Sequence, residues 1–274
     1  MELRILCVGD VVGAPGRRVL REALQVIVPE RSIDCVIVNA ENAAAGSGIT
    51  PAIHKKIIAY GANLVTLGDH IYRRREIIPV LETADNIVRP ANLPATAPGK
   101  EFAICETASS HRVAVISLLG RMFMKMPANC PFAAADQVLA TVPRDVKIIV
   151  VDMHAEATSE KVAMGWHLNG RVSAVFGTHT HVPTADECVL PQGTAYVTDL
   201  GMTGPYDSVL GRAKERVLCT MRSAVPSPFD VATDDVRLCG VIVSVDCTTG
   251  LATNIERITY NGAPEVQQGY EPDD

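Results

Sequence analysis

His179 and His181 stand two residues apart in the stretch GTHTH (177–181), directly after the apolar run 172–176. The run predicts a strand, and in extended chain residues i and i+2 point to the same side, about 6.6 Å apart at ~3.3 Å per residue. Two metal ions about 3.5–4 Å apart could each bind one imidazole. A polar loop whose histidines have no chemical role is the alternative, because His-x-His spacing alone is a weak signal.

Other side chains able to bind metal follow further apolar runs. Asp10 follows the run 3–8, Glu41 and Asn42 follow 35–38, Asp69 and His70 follow 64–67, and His154 follows 146–151. The first three runs belong to successive β-loop-α units, which predict a parallel sheet with helices on its faces. Ligands of such sheets bind outside the carboxyl ends of the strands. Three successive strands that each end in a side chain able to bind metal indicate a binding site, because this coincidence is improbable by chance.

Carboxylates and imidazoles without thiolates are a donor set suited to manganese, iron or zinc. One carboxylate can bridge two ions, and Glu41 is the residue we expect in that position. A two-metal site clamps the attacking and leaving oxygens in phosphoryl transfer and makes a bound water more acidic. Glycines at 9, 13 and 16 do not have the spacing of a dinucleotide-binding loop.

Composition limits the function classes. The chain has 274 residues and no linker or repeat, so we expect a single domain over 1–274, with 262–274 as a C-terminal tail. A net charge of −6 argues against a generic nucleic-acid or anionic-membrane binder, and no stable nucleic-acid partner is expected. No apolar stretch approaches membrane-spanning length, none of the eight cysteines forms a Cys-x-x-Cys pair, and we expect a cytoplasmic protein without membrane contact.

The remaining pattern predicts the elements that position these residues. Helices are expected over 17–28, 51–60, 132–139 and 159–167, with Thr50 and Thr158 as N-caps. Hairpins are expected at 102–118 and 236–258 and a strand at 193–198, and 199–207 is expected to be a loop.

Longer motifs resemble a known family. They are Gly9-Asp10-Val11-Val12-Gly13, Asn39-Ala40-Glu41-Asn42-Ala43, Gly68-Asp69-His70, His154-Ala155-Glu156-Ala157-Thr158-Ser159-Glu160-Lys161, the stretch 177–181, and Thr198-Asp199 followed by Gly201-Met202-Thr203-Gly204-Pro205-Tyr206-Asp207-Ser208. Over about 3–258 the chain resembles the YmdB-like branch of the calcineurin-like metallophosphoesterases. The resemblance implies a four-layer α/β/β/α sandwich with mixed sheets, a dinuclear iron or manganese centre, a homo-oligomer, and phosphodiesterase activity on small substrates such as 2′,3′-cyclic nucleotides.

The resemblance also implies roles for individual residues. One metal would be bound by Asp10, Asn42 and His181, and the other by Asp69, His154 and His179, with Glu41 as the bridge. His70 would bind no metal and would protonate the leaving oxygen as the catalytic acid. Residues that bind the base or sugar are not identified.

Two alternatives remain open. The same centre would serve a phosphomonoesterase or a nuclease, although the acidic charge disfavours long nucleic acid as a substrate. A regulatory protein that retains the metal site and acts mainly through partners is the alternative from another class.

Two positions depart from the wider pattern. Val12 replaces the histidine of the superfamily's opening Asp-x-His, and Asp69 replaces the usual asparagine before His70. Two divalent ions with Asp10, Glu41 and Asp69 give a centre about one charge less positive than with asparagine, so we expect weaker capture of anions and a raised pKa for water bound there.

Asp69→Asn should therefore lower the Michaelis constant for an anionic phosphodiester, by about fivefold, and move the acidic limb of the pH–rate profile to lower pH. Steady-state kinetics across pH measures both quantities. An unchanged Michaelis constant together with an unchanged profile would show that the charge at this position has no such effect.

Overall fold

The computed structural model describes residues 1–263, which contain thirteen strands and six α-helices. The strands are β1 (Glu2–Val8), β2 (Asp10–Val11), β3 (Cys35–Asn39), β4 (Leu64–Thr66), β5 (Phe102–Glu106), β6 (Arg112–Leu119), β7 (Ile148–His154), β8 (Ala174–Thr178), β9 (Cys188–Val189), β10 (Ala195–Val197), β11 (Met202–Pro205), β12 (Val236–Asp246) and β13 (Ala252–Asn261). The helices are α1 (Gly13–Glu30), α2 (Pro51–Ala59), α3 (Ile78–Thr83), α4 (Pro131–Thr141), α5 (Thr158–Leu168) and α6 (Lys214–Ser223), and a short 3-10 helix spans Arg75–Ile77.

The strands form two mixed sheets. The first has the order β2-β11-β12-β1-β3-β4, with β13 also paired to β12, and the second has the order β5-β6-β7-β8-β10-β9. Parallel pairing joins β1, β3 and β4 in the first sheet and β6, β7, β8 and β10 in the second. The carboxyl ends of the parallel strands within each sheet therefore lie along one edge.

Side-chain alternation along β1 shows how the core is divided. Leu6 and Val8 belong to a cluster with residues of α1 and α2, whereas Ile5 and Cys7 belong to a cluster with residues of the second sheet. Opposite faces of one strand thus pack against helices and against the other sheet. A third cluster joins the second sheet to α4 and α5.

Several local predictions are confirmed. The first three predicted strands pair in parallel, as β1, β3 and β4. Both predicted hairpins are present, since β5 pairs antiparallel with β6 and β12 with β13. Thr50 caps α2, because its hydroxyl accepts the Ile53 N–H at 3.2 Å and Pro51 occupies the first helical position.

Other local predictions are wrong. Thr158 does not cap α5: it is the first helical residue, and Ala157 precedes it without a side-chain cap. The expected loop at 199–207 contains β11, whose partners β2 and β12 are remote in sequence. Helix α6 was not among the predicted elements, and Val217 is its one buried residue. Most of the predicted tail, from residue 264, lies outside the described residues.

No helix within residues 1–263 combines the length and the apolar character that crossing a membrane requires.

A buried ion pair holds the loop that follows β8. Lys161 Nζ of α5 donates to Asp199 Oδ2 at 2.6 Å, and both side chains are almost completely buried. The same carboxylate oxygen accepts the Thr180 hydroxyl at 2.8 Å, and its other oxygen accepts the Gly201 N–H at 2.8 Å. Because Thr180 lies between the two histidines of the GTHTH stretch, the pair supports the conformation of that stretch.

Lys161→Met should reduce the free energy of unfolding by about 3 kcal/mol, because it leaves the Asp199 charge buried without a cation. Urea denaturation measures the loss. Lys214→Met is the matched control: it breaks an ion pair with Asp207 in which the side chains are 40% and 52% exposed, so its cost should be much smaller than that of Lys161→Met. Equal losses in the two variants would contradict a special role for the buried pair.

Candidate metal centre

The predicted site residues meet where the carboxyl ends of strands from both sheets converge. The first sheet supplies Asp10 in β2, Glu41 and Asn42 after β3, and Asp69 and His70 after β4. The second sheet supplies His154, the last residue of β7, and His179 and His181 after β8.

One group of donors is tightly clustered. Ligand atoms of Glu41, Asp69, His154 and His179 all lie within 4.8 Å of one another. His154 Nε2 is 3.4 Å from Glu41 Oε1 and 3.2 Å from Asp69 Oδ1. His179 Nδ1 is 3.1 Å from His154 Nε2 and 3.4 Å from Asp69 Oδ1. Two imidazoles and two carboxylates aimed at one point form a group that could hold a metal ion.

A second group of donors also adjoins Glu41. His181 Nε2 is 3.9 Å from Asp10 Oδ1, and Asn42 Nδ2 is 3.2 Å from His181 Nε2 and 3.0 Å from Glu41 Oε1. Asp10 is fully buried, and its Oδ1 has no hydrogen-bond partner among residues 1–263. A buried carboxylate oxygen without a donor is costly, and a bound cation would satisfy it.

Asn42 has its carboxamide turned away from this role. Its Oδ1 is 2.7 Å from His70 Nδ1, while its Nδ2 faces Glu41 and His181. An amide nitrogen does not bind a cation, so Asn42 would have to rotate its carboxamide by a half-turn to offer oxygen.

A buried hydrogen-bond network orients His154. The Nδ1 of this histidine is 2.8 Å from Thr178 Oγ1, and the Thr178 hydroxyl donates to Asp152 Oδ1 at 2.6 Å. Asp152 Oδ2 also accepts Thr66 Oγ1 at 2.6 Å and Asn39 Nδ2 at 3.0 Å. Because the Thr178 hydroxyl proton is used by Asp152, Nδ1 of a neutral His154 is the protonated nitrogen, and Nε2 is free for a metal.

The other two histidines are held in a similar way. His179 Nε2 is 3.2 Å from Glu156 Oε2, so its Nδ1 faces the first group. His181 Nδ1 is 3.1 Å from the Leu210 carbonyl oxygen, so its Nε2 faces Asp10. In all three histidines the nitrogen directed away from the site has its own acceptor, which is the usual arrangement of metal-binding imidazoles.

Sequence reasoning identified His179 and His181 but misjudged their backbone. Strand β8 ends at Thr178, and the φ angles are +96° at His179 and +65° at His181. The expectation of two side chains on one side of an extended strand is therefore wrong. Instead, the turn directs His179 to the first group and His181 to the second. Left-handed backbone at non-glycine residues is strained and must be supported by its surroundings.

Sequence reasoning also missed Asp152, Thr178 and Glu156. Asp152 lies two residues before His154 on β7, so its position on the same side of the strand was a usable signal. Thr178 and Glu156 belong to the quoted motifs but had no pattern that distinguished them from neighbouring polar residues.

Carboxylates and imidazoles in the site stabilise each other's charge. Burial alone would raise the pKa of Glu41, but the adjacent His154 and His70 hold this pKa well below its usual range. Burial opposes a charge on His154 and on His70 as well. Glu41 nevertheless raises the pKa of both, with Asp69 adding to the effect. Burial would raise the pKa of Asp69, but hydrogen bonds from His154 and His179 lower this pKa instead. A metal ion would replace protons held in this way.

The fold and site define an α/β protein with two mixed sheets and a buried His, Asp and Glu group at their common edge. This chain belongs to the YmdB-like family, because residues 6–258 match the model of the YmdB-like protein. It is 44% identical over 259 residues to a Bacillus subtilis (strain 168) protein named 2′,3′-cyclic-nucleotide 2′-phosphodiesterase, covering 94% of this chain and 97% of that protein.

Two solved structures are similar. The crystal structure of a hypothetical protein from Thermus thermophilus has a TM-score of 0.88 and 38% identity, and covers 95% of this chain and 100% of that one. The crystal structure of a novel phosphatase from Mycoplasma pneumoniae has a TM-score of 0.89 and 31% identity, and covers 95% and 94%. Phosphodiesterase and phosphatase relatives thus extend over nearly the whole chain.

Thr178→Val should weaken manganese binding by about 10- to 100-fold, because it removes the acceptor that orients His154. Isothermal titration of the metal-free protein with Mn²⁺ measures the affinity. Thr203→Val is the matched control: Thr203 is also fully buried, but its hydroxyl has no hydrogen-bond partner within the described residues. We expect the control to bind Mn²⁺ as the wild type does. An unchanged affinity in Thr178→Val would show that the network does not orient His154.

Proposed function

We propose that this protein is a di-metal phosphodiesterase that hydrolyses 2′,3′-cyclic nucleotides at the 2′ phosphoester bond. The observation that carries the proposal is the buried group formed by Glu41, Asp69, His154 and His179, whose donors lie within 4.8 Å of one another. The name of the Bacillus subtilis relative supports this choice of substrate and bond.

The proposed metal ligands are divided between two ions. Asp69, His154 and His179 would hold one ion, Asp10, Asn42 and His181 would hold the other, and Glu41 would contribute its carboxylate to the centre. When bound, the ions supply charge stabilisation for the phosphoryl oxygens and increase the acidity of a water molecule. Iron or manganese fits this nitrogen and oxygen donor set, and zinc is also compatible with it.

The reaction requires a proton at the leaving oxygen. Water oxygen adds to phosphorus, the bond from phosphorus to the 2′ oxygen breaks, and that oxygen takes a proton, leaving a 3′-phosphate and a free 2′-hydroxyl. His70 is the proposed proton donor. Its side chain is 27% exposed, its Nδ1 faces Asn42 and Glu41, and its Nε2, 4.0 Å from Asp69 Oδ2, is the nitrogen that we assign to the leaving oxygen. Although burial opposes it, Glu41 raises the pKa of His70, which favours the protonated form.

The proposal extends to architecture and assembly. Three core clusters, one between each pair of adjacent layers, support the four-layer α/β/β/α sandwich. A single domain, a homo-oligomer and a cytoplasmic location remain predictions of the sequence analysis.

His70→Ala should lower kcat about 100-fold or more and leave manganese content unchanged, because His70 donates a proton and binds no metal. Glu41→Ala should lose both manganese and activity, because the bridging carboxylate is gone. Hydrolysis of bis-p-nitrophenyl phosphate and 2′,3′-cyclic AMP by manganese-reconstituted protein is measured with metal analysis of each variant. His111→Ala is the control, since this histidine lies at the amino end of β6, opposite the site.

The outcomes separate the alternatives. Loss of manganese from His70→Ala would contradict its role as proton donor. Turnover of p-nitrophenyl phosphate, a monoester included in the same assay, but of neither diester would indicate a phosphomonoesterase. A protein that binds two metals, hydrolyses no phosphoester and co-purifies with a stoichiometric partner would be a regulatory protein.

A further inference from the structure

Three consecutive arginines, Arg73, Arg74 and Arg75, are exposed beside the proposed proton donor. We refer to them as the arginine rim. The Arg73 N–H donates to the His70 carbonyl at 2.9 Å, which closes a four-residue turn. The ends of such a turn are less than about 7 Å apart at Cα. The rim therefore begins within one arginine side-chain length of His70, whose imidazole is itself partly exposed.

The rim also packs against the loop that carries Glu41 and Asn42. The Gly48 N–H of that loop donates to the Glu41 carbonyl oxygen at 2.5 Å. A Cβ at Gly48 would lie 2.8 Å from Arg74 Cγ and 3.1 Å from the Cβ of Arg73. Glycine is thus needed for this close approach, and the φ of +88° at Gly48 requires it as well. The aliphatic stems of two rim arginines are fixed against a loop of the metal centre.

The charge of the rim is not neutralised by the protein. Within residues 1–263 none of the three arginines takes part in an ion pair, whereas several other arginines do, as Arg112 with Asp145 and Arg171 with Asp136 show. Glu76 is the single acidic residue adjacent in sequence, which leaves a local surplus of about two positive charges in a chain of net charge −6. Clustered and unpaired arginines are suited to bind phosphate.

We propose that the arginine rim binds an internal phosphate of the substrate, so that the substrate class is a short oligoribonucleotide that ends in a 2′,3′-cyclic phosphate. This inference rests on the proposed function. A cyclic mononucleotide has a single phosphate. That phosphate would lie at the metal centre, so the substrate would have no second anion for the rim to bind. Each additional nucleotide contributes one negative charge next to the reacting end. The rest of the protein surface is acidic. It would repel phosphates farther from the cyclic end of the oligonucleotide, which disfavours long nucleic acid as a substrate.

The test compares two substrates on manganese-reconstituted full-length protein. They are 2′,3′-cyclic AMP and a hexaadenylate ending in a 2′,3′-cyclic phosphate. We expect a higher kcat/KM for the hexaadenylate, by about fivefold or more at low salt, with a preference that falls as salt is added. Arg73→Gln/Arg74→Gln should reduce the ratio of the two kcat/KM values about fivefold, because glutamine keeps part of each stem and removes the charge.

Arg144→Gln/Lys147→Gln is the matched control. It removes the same number of positive charges from exposed residues before β7, at the opposite end of that strand from His154. We expect this variant to keep the wild-type ratio of kcat/KM values.

Failure of the rim proposal can be distinguished from failure of the proposed function. If the wild type hydrolyses 2′,3′-cyclic AMP but does not prefer the hexaadenylate, or if both double variants show the same ratio, the rim proposal is overturned and the phosphodiesterase stands. If neither substrate is hydrolysed, the proposed function fails. The rim proposal is then tested by fluorescence anisotropy, which measures binding of a labelled hexaadenylate 3′-phosphate to each variant. Weaker binding by the rim variant than by the control supports the rim proposal, and equal binding overturns it.

Discussion

Buried negative charge at the common edge of two sheets is the constraint on which the rest of the structure depends. Asp10 and Glu41 have no solvent exposure, and a carboxylate oxygen of Asp69 lies within 4.8 Å of one of Glu41. A buried carboxylate is unfavourable unless cations or hydrogen-bond donors compensate it. The imidazoles of His154 in β7 and of His179 and His181 after β8 lie next to these carboxylates, where a compensating charge or donor is required. Either protons on the imidazoles or a bound metal ion could compensate the negative charge. The metal is favoured because each imidazole has its outer nitrogen held by an acceptor and its other nitrogen directed into the site.

The two sheets must keep a fixed relation for this compensation to work, because their strands contribute opposite halves of the site. Asn39 of β3 and Thr66 of β4 both donate to Asp152 of β7. The Thr178 hydroxyl of β8 donates to the same carboxylate. One buried carboxylate therefore joins four strands of two sheets immediately beneath the candidate metal centre. Fully paired polar networks of this kind hold a core in one arrangement, which apolar contacts alone specify less strictly.

Much of the site was predictable from the sequence because parallel strands place their carboxyl ends along one edge. The polar residues at the ends of β1, β3, β4, β7 and β8 could therefore be assigned to one site without knowledge of the fold. The relation between the sheets was not accessible from sequence pattern, since the network around Asp152 consists of contacts between residues remote in the chain. The turn at His179 was missed because positive φ in a non-glycine residue leaves no local signal.

Asp69 illustrates how the surroundings determine the effect of one residue. Its carboxylate lies 3.2 Å from His154 Nε2 and 3.4 Å from His179 Nδ1, the nitrogens that face the first group. An asparagine there could form hydrogen bonds but would add no charge, whereas the carboxylate helps to raise the pKa of the buried His154. Metal binding needs neutral imidazole, so a metal must displace a proton that Asp69 helps to hold. The same carboxylate attracts the incoming cation. The first effect lowers metal affinity at low pH and the second raises it once the proton has left, so Asp69 makes metal affinity steeper with pH than a neutral amide would.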